Sequence, residues 1–295
     1  MKTFSKADLK NLRPSFDTFV GIDSDGCVFD TMEIKQKDFF HPAIIRHWHL
    51  EAIEPQVRAA AEFTYLYSQS RGLNRFLGLC RVFELLLDWS EAREGAALPD
   101  PSDLQAFCKL DQPLSNETIL AEAKRINSKL LLEIYNWSVD LNERIDREMP
   151  PPPVFSGAEA GLKKIAAHSD AIVISQTQAI ALLKDWYRDG LAQYVSVIAG
   201  PELGNKVDHF KMAAVDRYPA KSILMIGDAP GDLAAATEIG CNFFPINPGH
   251  ESESWQQFMD EGYELFLAGG FSSVYQKQLN DRFNAYLPHS PPWKK

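Results

Sequence analysis

Residues 19–30, FVGIDSDGCVFD, constrain the fold of this chain more than any other stretch, because an apolar run ends abruptly in two carboxylates one residue apart. Phe19, Val20, Gly21 and Ile22 predict a short buried strand, and Gly26, directly after Asp25, predicts a tight turn that leaves backbone N–H groups bare. Asp23 and Asp25 then stand at the carboxyl end of a strand, beside a loop. In an open α/β sheet that edge is where ligands bind. A calcium EF-hand loop also begins Asp-x-Asp, but its glycine is the sixth residue and a helix precedes it. Here the glycine is fourth and a strand precedes.

The chain's 295 residues suffice for one large domain or for a core with an insertion, and its hydrophobic content of 45% is that of a globular protein. A formal charge of −10 and a pI near 5.2 repel nucleic-acid backbones and anionic membrane surfaces. Neither is an expected partner, and an anionic substrate needs a local positive site or a metal. Cys27, Cys80, Cys108 and Cys241 are scattered without CxxC spacing, which argues against zinc and against a disulfide-framed secreted domain. Reduced thiols, an N-terminus without a continuous apolar region, and no run of about 18 apolar residues predict a soluble, cytoplasmic protein.

Ser5 to Asp8 predict a short helix before Pro14. After Asp30 and Thr31, about 120 residues carry helical periodicity and no alternating strand pattern. Phe76, Leu77, Cys80, Phe83 and Leu87 form one apolar face, and Ile119, Ala123, Ile126, Leu130, Ile134, Trp137, Leu141 and Ile145 a second, longer one; both are packing surfaces. His47 and His49 are two residues apart, diverge on a helix and read as structural. Prolines 150–153 cannot continue a helix and mark a linker. With the segment after Asp30 they make two adjacent connections, from which an all-helical insertion hangs on a core as a lid.

From Ser156 the pattern alternates. Ser156 and Glu159 have capping-box spacing and open a helix to about His168. Strands are predicted at 171–174, 194–198, 222–226 and 242–246, with helices at about 178–188, 207–217 and 233–238 between them. That is an α/β fold, a parallel sheet with crossover helices. Ser254 with Gln257 predicts the cap of a further helix, and the last helix spans about 273–286.

Four strand ends carry polar groups: Asp23 and Asp25, Ser175, Lys206, and Asp228 with Asp232. The topology brings them to one edge. Bare carboxylates cannot share such a pocket, since two unit charges about 4 Å apart repel by about 4 kcal/mol at an effective dielectric near 20. A cation must sit among them, and oxygen donors without His or Cys select a hard ion that also favours phosphate, Mg²⁺.

In this order the motifs GIDSDGCVFD, AIVIS, the lysine of GNK and SILMIGDAPGD resemble those of the haloacid dehalogenase (HAD) superfamily, phosphoglycolate-phosphatase-like members most of all. The resemblance covers the core and not the helical stretch, which lies where that family inserts its type-1 cap. It implies a Rossmann-like core formed by residues 1–31 and 153–295, with a cap over 32–152. It further implies a Mg²⁺-dependent phosphatase acting on a small phosphorylated metabolite through an aspartyl-phosphate. Asp23 would be the nucleophile and Asp25 the acid and then the base. Gly26, Ser175, Gln176 and Lys206 would bind phosphate, together with the N–H groups opening the helix after Ser175. Asp23, the Asp25 backbone carbonyl and Asp228 would be the metal ligands, with Asp232 in support. Lys211 rivals Lys206. In the cap, Arg71 and Arg75 are the candidates for contacting the rest of the substrate, set against the commoner reading of arginines as solvated or weakly paired surface groups. Members that cleave carbon–halogen bonds lack the acid, so Asp25 favours phosphoryl transfer. Cys27 departs from the family's usual threonine, which puts loop hydrogen bonding in doubt. Two alternatives stay open: a sugar phosphomutase, which Asp30-Thr31 also resembles, and a non-catalytic binding protein with this fold.

Overall fold

Five apolar runs pair into one parallel sheet in a computed structural model that describes residues 2–294. They are β1 (Phe19–Ile22), β2 (Asp170–Ile174), β3 (Val197–Ala199), β4 (Ile223–Gly227) and β5 (Asn242–Pro245). Their order across the sheet is β3-β2-β1-β4-β5. Phe19 is in register with Asp170 on one side and with Ile223 on the other, so β1, β2 and β4 end level. The chain leaves β1 toward β2 and β3, then crosses back to β4. The β1–β4 boundary is thus the switch point at which ligands bind in such sheets. This is the α/β architecture that the alternating pattern predicts.

Both faces of the sheet are covered, which is why the strands read as continuous apolar runs. Val20, Ile22, Val173 and Ile226 join one core cluster with Trp186 and Trp255, whereas Phe19, Ile172, Ile174 and Met225 join another with Phe210 and Phe283. Alternation along each strand makes this split.

By its contacts the chain divides into two units, Met1–Thr31 with Pro151–Leu287 and Met32–Pro150 with Pro288–Lys295. The first holds the whole sheet. In the second, the described residues of the span between Thr31 and Pro151 form no strand, as the periodicity predicts. Phe40, Tyr65, Phe83 and Trp137 lie in its core, with the half-buried Trp48 packed against them. The expected core segment 153–295 runs too far, because Trp293 stacks on Trp89 at 4.5 Å and packs edge-on against Phe63, both in the second unit.

Several local expectations give way to side-chain competition. The stripe from Ile119 to Ile145 is two helices, Asn116–Ile126 and Lys129–Glu148, broken where Asn127 turns left-handed (φ 55°) and Ser128 caps the second. Ser156 does not cap the helix Ala158–His168; Gly157, at φ 87°, takes the N-cap without a side-chain bond. Ser254 lies inside the helix Glu251–Gln257, where its Oγ accepts from the Asn247 N–H and donates to the His250 carbonyl. The predicted strand 194–198 begins as a 3₁₀ turn, Leu191–Tyr194, and only Val197–Ala199 pair. Among the described residues no helix is long and apolar enough to cross a membrane.

His41 sits in the second unit and is 1% exposed; burial, with Arg58 and Lys37 nearby, pushes its pKa down from 6.5 to about 3. The unfolded chain therefore binds the proton first. This group's stabilising contribution is complete above about pH 6.5 and falls as pH drops toward 3, by up to about 1.4 kcal/mol per pH unit. His41→Leu is expected to flatten the dependence of the urea midpoint on pH between 6.5 and 4 relative to wild type. Parallel curves for the two proteins would refute the assignment.

Candidate functional site

The site lies at the carboxyl edge of β1, β2 and β4, within the first unit. The Asp23 N–H donates to the Ile226 carbonyl (2.9 Å), which extends the β1–β4 pairing to the aspartate itself. Its side chain is 9% exposed. Oδ1 accepts from the Ser24 N–H (2.7 Å), and Oδ2 is 2.5 Å from Lys206 Nζ. Lys206, 13% exposed at the side chain, also pairs with Asp232 Oδ1.

Asp232 is fully buried and saturated. Its Oδ2 accepts from the N–H groups of Asp228 (3.1 Å) and Ala229 (3.0 Å). Gly227 makes this fold-back feasible, since a Cβ there would lie 2.3 Å from Asp232 Cγ. The Gly-Asp-x-x-x-Asp spacing is thus a helix start in which the last carboxylate closes on the backbone of the first. Asp23, Asp228 and Asp232 are all buried, with carboxylate oxygens within 4.8 Å of one another.

Burial pushes the Asp23 pKa up to about 7, against the pull of Lys206. It raises Asp232 as well, with Lys206 again opposing and Asp228 adding to the rise. Burial works against the Lys206 charge, but the two carboxylates hold its pKa above the ordinary lysine value. Fully ionised, the three carboxylates and the ammonium paired with them leave two negative charges in a buried, oxygen-only donor set. Such a set suits a hard divalent cation.

Lys206, predicted on a loop, is the first residue of the helix Lys206–Ala213, capped by Asn205. Its rival Lys211 is exposed and pairs with Glu238 at 3.3 Å. Only Lys206 joins the carboxylates.

The loop after Asp23 departs from expectation. Gly26 is left-handed (φ 74°), as the turn requires, but its N–H is not bare: it donates to the Phe29 carbonyl (2.8 Å). The N–H groups of Cys27, Val28 and Phe29 all converge on the Ser24 carbonyl. The loop satisfies its own donors, so Gly26 serves as the pivot of the turn. Cys27 is buried, with Sγ 3.9 Å from the Ile226 carbonyl.

Ser175 is buried at the end of β2, and its Oγ accepts from the Thr177 N–H (3.1 Å). Ala179, which opens the next helix, donates its N–H to Glu202 at 3.0 Å. Two of the N–H groups expected to meet phosphate are therefore already engaged. Gln176 is exposed, with Nε2 donating to the Ser175 carbonyl (3.3 Å).

Three side chains that the motif pattern does not single out hold the loop. Thr177 Oγ1 donates to Asp25 Oδ2 (2.8 Å), Trp186 Nε1 to Ser24 Oγ (3.0 Å) and Trp255 Nε1 to the Cys27 carbonyl (2.8 Å). Trp186 sits in the apolar stripe of its helix and Trp255 in the polar run ESESWQQ, and nothing in either setting marks the indole as a hydrogen-bond donor.

Arg71 and Arg75 belong to the second unit and are engaged within it. Arg71 is 3% exposed, with Nη1 on the Leu66 carbonyl (3.0 Å). Arg75 Nη1 donates to Ser138 Oγ (3.0 Å) and Asn142 Oδ1 (2.7 Å). His47 lies between Glu133 and Asp140, as a structural residue would.

No family model matches this sequence, and no curated protein matches it. Among solved structures the chain is similar to a putative phosphoglycolate phosphatase from Lactobacillus delbrueckii, at 15% identity over 86% of this chain and 98% of that one, with a TM-score of 0.47. It is similar to a HAD family hydrolase from Deinococcus radiodurans with bound phosphate and sodium, at 17% identity over 80% and 82% of the two chains, with a TM-score of 0.47. A third is a predicted phosphoglycolate phosphatase from Haemophilus somnus, at 13% identity over 77% and 84%, with a TM-score of 0.45.

Proposed function

We propose that this chain is a Mg²⁺-dependent phosphatase of the haloacid dehalogenase type that hydrolyses a small phosphate monoester. The observation that carries this reading is the constellation of Asp23, 2.5 Å from Lys206, with Asp228 and Asp232 buried beside it and Asp25 two residues further along the loop. A structural salt-bridge cluster has no need of three buried carboxylates around one ammonium.

Asp23 acts as nucleophile. Its carboxylate oxygen bonds to phosphorus as the bond from phosphorus to the alkoxide oxygen breaks, giving an aspartyl-phosphate. Lys206 offsets charge on the transferred group. Asp25 gives its proton to the leaving oxygen, then takes one from the water that releases phosphate and restores Asp23. Ser175 Oγ, which accepts from Thr177, retains its own proton to donate to a phosphate oxygen. Mg²⁺, when bound by Asp23, the Asp25 backbone carbonyl and Asp228, supplies positive charge against the phosphate oxygens and the carboxylates. Asp232 holds Lys206 and the Asp228 backbone in register.

Asp30 and Thr31, the residues that also suggest a mutase, serve the chain junction: the Asp30 N–H donates to the Pro153 carbonyl (3.0 Å), and Thr31 is buried. Hydrolysis is the reading favoured.

Phosphate release from sugar, nucleotide and short-acid phosphates, assayed with Mg²⁺ and again with a chelator, tests the proposal. At least one class is expected to be hydrolysed with metal and at least about 100-fold more slowly without it. No release from any ester by the folded, Mg²⁺-supplied protein would overturn it.

A further inference from the structure

We infer that Thr177 is a positioning residue for Asp25, fixing which carboxyl oxygen faces the reaction; the inference rests on the phosphatase reading above. Thr177 Oγ1 donates to Asp25 Oδ2 at 2.8 Å, across 152 residues of sequence. Both partners are set by strand ends. Thr177 is tied through its own N–H to Oγ of Ser175, the residue directly after β2, and Asp25 follows β1 in a loop whose next four N–H groups close on the loop's own carbonyls. The backbone beneath Asp25 is thus held, and Thr177 adds a hold on the side chain, which is half-buried.

The chemistry follows from the donor count. A hydroxyl has one proton to give, and here it is given to Oδ2. A proton carried by Asp25 then sits on Oδ1, so one oxygen of the two presents it to the leaving group and later receives one from water. Holding the reacting oxygen in one orientation is worth orders of magnitude when a proton must move in the transition state.

The test compares wild type, Thr177→Val, which keeps the shape and loses the hydroxyl, and Thr177→Ser, which restores it. Two probes separate the steps. An alkyl phosphate needs the proton in the first step, as its P–O bond breaks. With p-nitrophenyl phosphate the nitrophenolate leaves with its electron pair and needs no proton, while the water that then attacks phosphorus must still give one to Asp25. Thr177→Val is expected to turn over the alkyl ester about 10–100-fold more slowly, with KM within about twofold of wild type. On the aryl ester it is expected to release a rapid burst of one nitrophenolate per site, then turn over slowly. Thr177→Ser is expected to recover most of the rate.

A general disturbance of the loop would slow the burst as much as the turnover, and that result overturns the inference. So does unchanged alkyl-ester turnover in Thr177→Val, or a serine variant no better than the valine one. The alkyl ester is whichever of the sugar, nucleotide or short-acid phosphates above the wild type hydrolyses; silence on all of them refutes the phosphatase reading itself and the inference with it. Failure of the inference alone leaves the wild type active.

Discussion

Asp23→Asn is expected to lower phosphate release by about 10⁴–10⁶-fold, the scale seen when a covalent nucleophile is removed, and to leave the protein folded. The retained fold follows from the local bonds. Asparagine keeps an oxygen for the Ser24 N–H, now 2.7 Å from Asp23 Oδ1, and Lys206 keeps Asp232 as a partner. Of three buried carboxylates the variant removes one, which relieves like-charge repulsion. The thermal midpoint in metal-free buffer should therefore not fall. Residual rate comes from the remaining binding groups. A second readout separates nucleophile from bystander: rapid quenching in acid should trap a phosphorylated protein from wild type and none from Asp23→Asn. A stable variant that keeps more than about a tenth of the activity, or that still takes up covalent phosphate, would remove Asp23 from the reaction.

How far the site is legible in the sequence depends on the distance over which each residue acts. Asp23 and Asp228 stand out because each follows directly on an apolar strand, and a parallel sheet leaves only one edge where such ends can meet. The spacing of Asp232 is legible for a related reason. A helix start places its fourth residue over its own backbone, and Gly227 leaves room for it. Thr177 and Trp186 are different. They reach the loop across 152 and 162 residues, and one hydroxyl or indole in an apolar stripe carries no mark of its partner. The satisfaction of the loop's own N–H groups was equally hidden, because Gly26 signals that the chain turns and not which carbonyls it turns toward. Local caps failed where a better-placed competitor existed: Gly157 displaced Ser156, and Asn247 with His250 claimed Ser254. In the helical unit periodicity revealed the faces, but the break at Asn127 turned one predicted stripe into two helices.

Lys206→Met is expected to be the most destabilising single change at the site. Its ammonium pairs with both Asp23 and Asp232, and its side chain is 13% exposed. Removing one member of a buried pair leaves uncompensated charge and costs about 3–5 kcal/mol. Lys211→Met is the control, since an exposed pair such as Lys211–Glu238 contributes about 0–1 kcal/mol. Adding Asp23→Asn to Lys206→Met removes one of the stranded carboxylates, so the double variant should lose less stability than Lys206→Met alone, by about 0.5–3 kcal/mol. Divalent cation gives an independent arm. If Mg²⁺ binds the same carboxylates, it should raise the midpoint of Lys206→Met by mass action, about 2.7 kcal/mol at 100 times its Kd. Urea midpoints with and without Mg²⁺ measure all four terms. A loss for Lys206→Met no larger than that for Lys211→Met would show that the buried carboxylates are neutralised by something other than this lysine. The charge balance that points to a bound dication would then have to be recast, because it sets the Lys206 charge against the three carboxylates.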